Sequence, residues 1–93
     1  MSINNHIRNY YEQLVAEEIL RRLHGQSPAV SIEHMADIAC VALNRLPPRY
    51  IRFEVDMAFF MTPDELVKTN NSVTEAVTEA IAFVEKHRRE EDE

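Results

Sequence analysis

Two adjacent prolines, Pro47 and Pro48, constrain this chain more than any other feature, because they remove two backbone donors in succession and stop any helix that reaches them. The stretch before them, Ser31 to Arg45, predicts a helix that is apolar on almost every side. Ile32, Met35, Ala36, Ala39, Leu43 and Leu46 recur at helical spacing, and Ile38, Val41 and Ala42 thicken the stripe. A helix of that kind belongs at the centre of a fold. Glu33, Asp37 and Asn44 make its one narrow polar line, either a solvent strip or a set of groups with assigned partners. Cys40, in the middle of the helix, reads as an inert small hydrophobe.

The flanking segments also read as helical. The first helix extends from Asn4 or Asn5, either of which can cap it, to Leu23, with Gly25 where a left-handed C-terminal cap is wanted. Ile7, Tyr10, Tyr11, Leu14 and Val15 supply its apolar face, and Ala16, Ile19, Leu20 and Leu23 continue it. On the outer face Glu17 precedes Arg21 and Glu18 precedes Arg22 at the favourable i,i+4 spacing. Thr62-Pro63-Asp64-Glu65 is a capping box with proline at the first helical position. From there Leu66, Val73, Val77, Ala80 or Ile81, and Val84 form a seam that stays in phase through Asn70-Asn71-Ser72. Helix is expected on both sides of that triplet, although Ser72 with Glu75 can also open a fresh helix. Glu90 to Glu93 is expected to be a frayed acidic tail.

Between the prolines and that capping box the period changes. Ile51, Phe53, Val55 and Met57 alternate with Arg52, Glu54 and Asp56, the two-residue period of a half-buried strand, and the alternation continues to Met61. Because Phe59-Phe60-Met61 can instead begin the next helix, the strand is assigned to residues 51–57. No second strand is visible to satisfy its backbone, so pairing with the same strand of a second copy across a two-fold axis is the expected solution. The expected fold is thus a mainly α, small helical domain of three to four helices with one short strand pairing across a homodimer.

With 93 residues the chain is the size of one domain, residues 1–93, whose thin core buries roughly 60–65% of the unfolded surface and gains from dimerisation. Its charge of -6 disfavours nucleic acid and anionic lipid, so any anion must be met by a local basic patch. No apolar run approaches a membrane span, the N-terminus is too polar for a signal peptide, and Cys40 is the lone thiol. The expectation is a soluble cytoplasmic protein.

That local patch is the hinge from Leu43 to Arg52. Arg45, Arg49 and Arg52 fall within eight positions with no acid until Glu54. The prolines stiffen the loop, so these arginines lose less entropy when they grip something. A guanidinium fork pairs with phosphate or guanine and stacks on bases, and Tyr50 adds an aromatic face. The alternative is that the arginines neutralise acidic neighbours or a partner. Catalysis is hard to assemble, because His6, His24, His34 and His87 are scattered and only one glycine exists, too few for a phosphate-cradling loop. No metal, cofactor or catalytic residue is expected.

The run Asp37-Ile38-Ala39-Cys40-Val41-Ala42-Leu43-Asn44-Arg45-Leu46-Pro47-Pro48-Arg49-Tyr50 resembles the signature of the late competence development ComFB family, in which an acidic residue on a buried helix precedes an A-L-N-x-L-P-P-x-Y segment. Asn9 to Leu23 is similar to that family's N-terminal helix, so the resemblance covers about the first 50 residues. It implies a small, mostly helical, dimeric cytoplasmic protein, some members of which are receptors for cyclic di-GMP or cyclic di-AMP. Some members also hold zinc through a cysteine cluster between the first two helices. Here that region reads Gln26-Ser27-Pro28-Ala29-Val30-Ser31, with no cysteine, and packing of Val30 and Ile32 must hold the junction.

Asp37, Asn44, Pro47, Pro48 and Tyr50 match the family pattern, whereas Arg45, Arg49 and Arg52 are assigned as ligand contacts on physical grounds. The expectation is a non-enzymatic cyclic dinucleotide receptor in which Arg45, Arg49 and Arg52 meet phosphate or guanine and Tyr50 stacks on a base. Asn44 would hydrogen-bond the turning backbone and Asp37 would pair with an arginine. The competing reading is an adaptor homodimer that docks another protein through the same arginine-rich hinge.

Overall fold

Each helix start follows from a local hydrogen-bond arrangement. The computed structural model describes residues 2–92. After a 3₁₀ turn at Ile3–His6, strand β1 (Arg8–Asn9) leads into α1 (Tyr11–Leu23). Asn9 Oδ1 accepts from the Tyr11 N–H at 3.2 Å, while Glu12 Oε2 accepts from the Asn9 N–H at 3.2 Å. This reciprocal cap places the start of the helix well beyond the expected Asn4 or Asn5. At the other end the His24 N–H donates to Leu20 O and Gly25 takes φ +81°, the left-handed stop expected of it.

Helix α2 (Ile32–Arg45) opens on Ser31, whose Oγ accepts from the His34 N–H at 3.1 Å, and ends before the prolines. Strand β2 (Tyr50–Ile51) follows, then α3 (Glu54–Phe60) and α4 (Pro63–Asp92). Thr62 Oγ1 caps α4 through the Glu65 N–H at 3.1 Å, as the capping box predicts. Helix α4 continues without interruption through Asn70-Asn71-Ser72, so Ser72 opens no new helix. Its 30 residues span about 45 Å, close to the molecule's longest dimension of 47 Å.

The mainly helical class is as expected, but the strand is much shorter than residues 51–57. β2 has only two residues and pairs antiparallel with β1 of the same chain, Arg8 opposite Ile51 and Asn9 opposite Tyr50. Residues 54–60 are helix instead. Over seven residues an alternating pattern and a helical one are hard to separate, because Phe53, Met57 and Phe60 also fit helical spacing. The partner decides: β1 begins only after the 3₁₀ turn ends, with Arg8 opposite Ile51, so residues beyond Ile51 have no ladder to join and satisfy their backbone in a helix. Glu54 and Asp56 in its first turn favour that outcome through the helix dipole. With β2 paired inside the chain, the strand gives no reason for a dimer.

The core is a three-helix arrangement in which α2 packs on both α1 and α4, and α1 also touches α4. Val15, Ile38 and Val77, one from each helix, are fully buried, surrounded by Ile19, Leu23, Ala42, Leu46, Val73 and Ala80. Two expectations for side chains change. Cys40 is exposed, because α2 turns that face away from both neighbours, and Leu66 lies outside the core because α4 meets α1 and α2 only from about Val73 onward. The junction residue Val30 does pack against the core, while Ile32 is exposed.

The outer face of α1 also differs from simple i,i+4 pairing. Glu18, with only 13% of its side chain accessible, binds Arg21 at 2.7 Å and Arg22 at 2.7 Å, while Glu17 accepts from Gln13. Arg22 also donates to the Thr74 carbonyl of α4 at 3.1 Å, so the cluster ties two helices together. The hydrogen bond from Arg21 holds the Glu18 carboxyl below its ordinary range; Arg22 adds to that shift and partial burial opposes it.

Candidate ligand-binding hinge

The segment from Asn44 to Phe53 leaves the end of α2, crosses the two prolines and returns along β1. Leu46, buried in the core, holds its start. Its middle is fixed through Arg49, whose N–H donates to Asn9 Oδ1 at 3.1 Å and whose carbonyl accepts from the Tyr10 N–H at 2.7 Å. One amide side chain thus caps α1 and holds the hinge. Pro47 and Pro48 restrict the backbone between those two attachments.

On this fixed backbone the expected contact residues do not form one cluster. Arg45 turns toward α4, pairing with Glu79 at 3.1 Å and lying over the Phe83 ring at 5.6 Å. It lines a recess of about 220 Å³ with Tyr11, Pro47, Glu75 and Glu79, an acidic setting for a group meant to receive an anion. For Arg45 the neutralising role is the one the geometry displays. Arg49 and Arg52 have no ion-pair partner among the described residues, and both are exposed. Arg52 lies over the Phe53 ring at 5.0 Å. Tyr50 is 65% exposed, as a side chain offered for stacking would be.

The β1–β2 pairing adds residues that the hinge sequence did not suggest. Arg8 and Arg52 line a second recess, of about 190 Å³, with Asn5, His6, Ile7 and Phe53. Arg8 also pairs with Glu54 at 3.3 Å, both side chains remaining about half exposed. The available clue was Asn9-x-x-Glu12, which marks the true start of α1 and so frees Arg8 and Asn9 to be extended backbone.

The two residues assigned to position the loop act differently. Asn44 Nδ2 donates to the Cys40 carbonyl at 2.8 Å, back into its own helix, and Asn9 supplies the bond expected of Asn44. Asn44 lies on the exposed last turn of α2, where its side chain bonds back to the carbonyl four residues earlier. Asp37 makes no ion pair with an arginine among the described residues. It sits two turns before Arg45, about 12 Å along α2, in a recess shared with Cys40, His87 and Arg88. Pro47 and Pro48 are exposed and stand where expected, between Leu46 and the pinned Arg49.

Among the described residues no group of three His, Cys, Asp or Glu side chains is placed to hold a metal ion, and no helix is long and apolar enough to cross a membrane. The hinge offers donors and an aromatic face, which suit binding of an anion.

No curated protein matches the chain. The family model described as Late competence development protein ComFB matches residues 8–88, from β1 through most of α4 and well past the first 50 residues that carry the visible resemblance. With the hinge segment and both elements that hold it inside the matched region, the chain belongs to the ComFB family.

Proposed function

We propose that this protein is a non-enzymatic cytoplasmic receptor for a cyclic dinucleotide, cyclic di-GMP or cyclic di-AMP, held at the hinge. The observation that carries the reading is the pinning of Arg49. Both polar groups of its backbone are bonded to the start of α1 while its exposed guanidinium has no ion-pair partner among the described residues, in a chain of charge -6. A donor on a pre-formed backbone loses less entropy on binding, so a single charged contact contributes more of its strength. Arg52 adds a further guanidinium group, Arg8 beside it is shared with Glu54, and Tyr50 adds a face for a purine.

Size bears on the stoichiometry. Ligand pockets usually measure roughly 300–1,000 Å³, whereas the recess between Arg8 and Arg52 holds about 190 Å³, enough for one half of such a ligand. A cyclic dinucleotide has its own two-fold symmetry, so one ligand shared by two chains suits both partners. The family resemblance, with receptors of this kind among its members, supports the same reading.

The test is isothermal titration calorimetry with cyclic di-GMP and cyclic di-AMP, with linear dinucleotides as controls. Saturable binding at half or one ligand per chain is the expected result. Arg49→Ala should weaken it about tenfold or more, since a charged hydrogen bond contributes roughly 1.5–3 kcal/mol. Arg45→Ala should cost less, because Glu79 already engages that side chain. Silence with folded protein would overturn the receptor reading and leave the hinge as a docking surface for another protein.

A further inference from the structure

We propose that the Arg8–Glu54 ion pair is a latch on α3, opened by the anion that binds between Arg8 and Arg52, an inference that rests on the receptor reading and adds its regulation. Helix α3 is lightly held. None of its side chains joins the core that α1, α2 and α4 share; among its described residues only Met57 is buried, and Met57 is not part of that core. It packs chiefly on β2, which is two residues long. Among the described residues one ion pair ties it to another element, Arg8 of β1 to Glu54 at 3.3 Å. A helix of seven residues with so little burial opens easily, so the loss of one tie shows in its local stability.

Two groups compete for Arg8. Its side chain lines the recess of about 190 Å³ shared with Arg52, and its Nη2 meets the Glu54 carboxylate. The ladder sets this arrangement, because Arg8 stands opposite Ile51, the residue before Arg52. Both side chains of the pair are about half exposed, so water reaches them and the pair is weak enough to exchange. An anion entering the recess meets Arg8 with a carboxylate already on it. Two like charges on one guanidinium stand roughly 5 Å apart, where repulsion in water weakens binding by about two- to fivefold. Departure of Glu54 removes that repulsion. Linkage makes the effect mutual: whatever frees Glu54 tightens the anion, and the anion frees Glu54 by the same factor. Arg52 has no acid of its own among the described residues, so within this recess the competition falls on Arg8.

The element released is the one with the most to show. Helix α3 carries Phe59, 83% exposed, and Phe60, 76% exposed. A ligand that loosens α3 changes how the chain presents those two rings.

The experiment is hydrogen–deuterium exchange of the full chain at millisecond-to-second labelling, read over residues 53–61, with and without cyclic di-GMP and cyclic di-AMP, beside calorimetry of the same samples. Glu54→Gln removes the latch. Asp56→Asn is the control: it removes a like charge from the same first turn, where both acids suit the helix dipole, and Asp56 has no ion-pair partner among the described residues. In the native chain the bound dinucleotide should speed exchange over α3. Without ligand, Glu54→Gln should already exchange faster there than Asp56→Asn. It should also bind the dinucleotide about two- to fivefold more tightly than Asp56→Asn, by a margin that narrows in high salt. If neither dinucleotide binds the native chain, the receptor reading falls and the latch falls with it. If one binds, but α3 exchanges no faster or Glu54→Gln binds no more tightly than Asp56→Asn, the latch alone is overturned. Equal α3 exchange in the two ligand-free variants would overturn it as well.

Discussion

Replacing Asn9 by alanine tests how the hinge is held. In the native chain Asn9 Oδ1 accepts from two backbone donors, Tyr11 at 3.2 Å and Arg49 at 3.1 Å. Loss of a helix cap costs about 0.5–2 kcal/mol. Loss of the Arg49 bond adds about 0.5 kcal/mol, at the low end of the usual range because water can reach that exposed residue. A destabilisation of about 1–2.5 kcal/mol is therefore expected, which for a domain of this size lowers Tm by roughly 4–20 °C. Urea denaturation at fixed protein concentration gives the cleaner number. With a slope of about 1 kcal/mol/M the midpoint should fall by about 1–2.5 M while the slope is unchanged. Asn9→Asp is the control. It keeps the acceptor and suits the helix dipole, with Glu12 nearby as a mild opposing charge, so it should stay within about 0.5 kcal/mol of the native chain. Either of two results would refute the reasoning: Asn9→Ala within about 0.5 kcal/mol of the native chain, or Asn9→Asp as damaging as Asn9→Ala.

Two further predictions concern the scaffold. Ile38→Ala removes a side chain 1% exposed between α1 and α4 and should cost about 2–5 kcal/mol in the same urea assay, whereas Ile32→Ala, at a position 73% exposed on the same helix, should stay within about 0.5 kcal/mol. Glu18→Gln should destabilise by about 1 kcal/mol at neutral pH, since it weakens the links to Arg21 and Arg22. The folded carboxyl titrates below its ordinary value of 4.5, so its contribution is fully present above that pH and is lost as pH falls through the lower folded value. The difference between native and Glu18→Gln chains should therefore shrink in acid; a difference that grows below pH 4.5 would show that the carboxylate is not the stabilising form.

The sequence by itself determined where α1 and α2 end and where α4 begins, because those signals are local. The Pro47-Pro48 stop, the Thr62 capping box and Gly25 act within a few residues of where they stand, and each appears in the structure where it was expected. The hinge as the place of interest was legible for the same reason, in three closely spaced arginines beside two prolines. The partners of those residues were not. Whether residues 54–57 are strand or helix depends on how far β1 extends, and β1 lies more than 40 positions earlier in the chain. That Arg45 is occupied by Glu79, that Asn9 rather than Asn44 holds the loop, and that Arg8 joins Arg52 are likewise pairings between distant segments. Capping, periodicity and helix termination are set by a residue and its near neighbours, so they can be read from order alone. Which charge is neutralised and which remains free at the surface is set by the packing of α1, α2 and α4, and only the tertiary structure decides it.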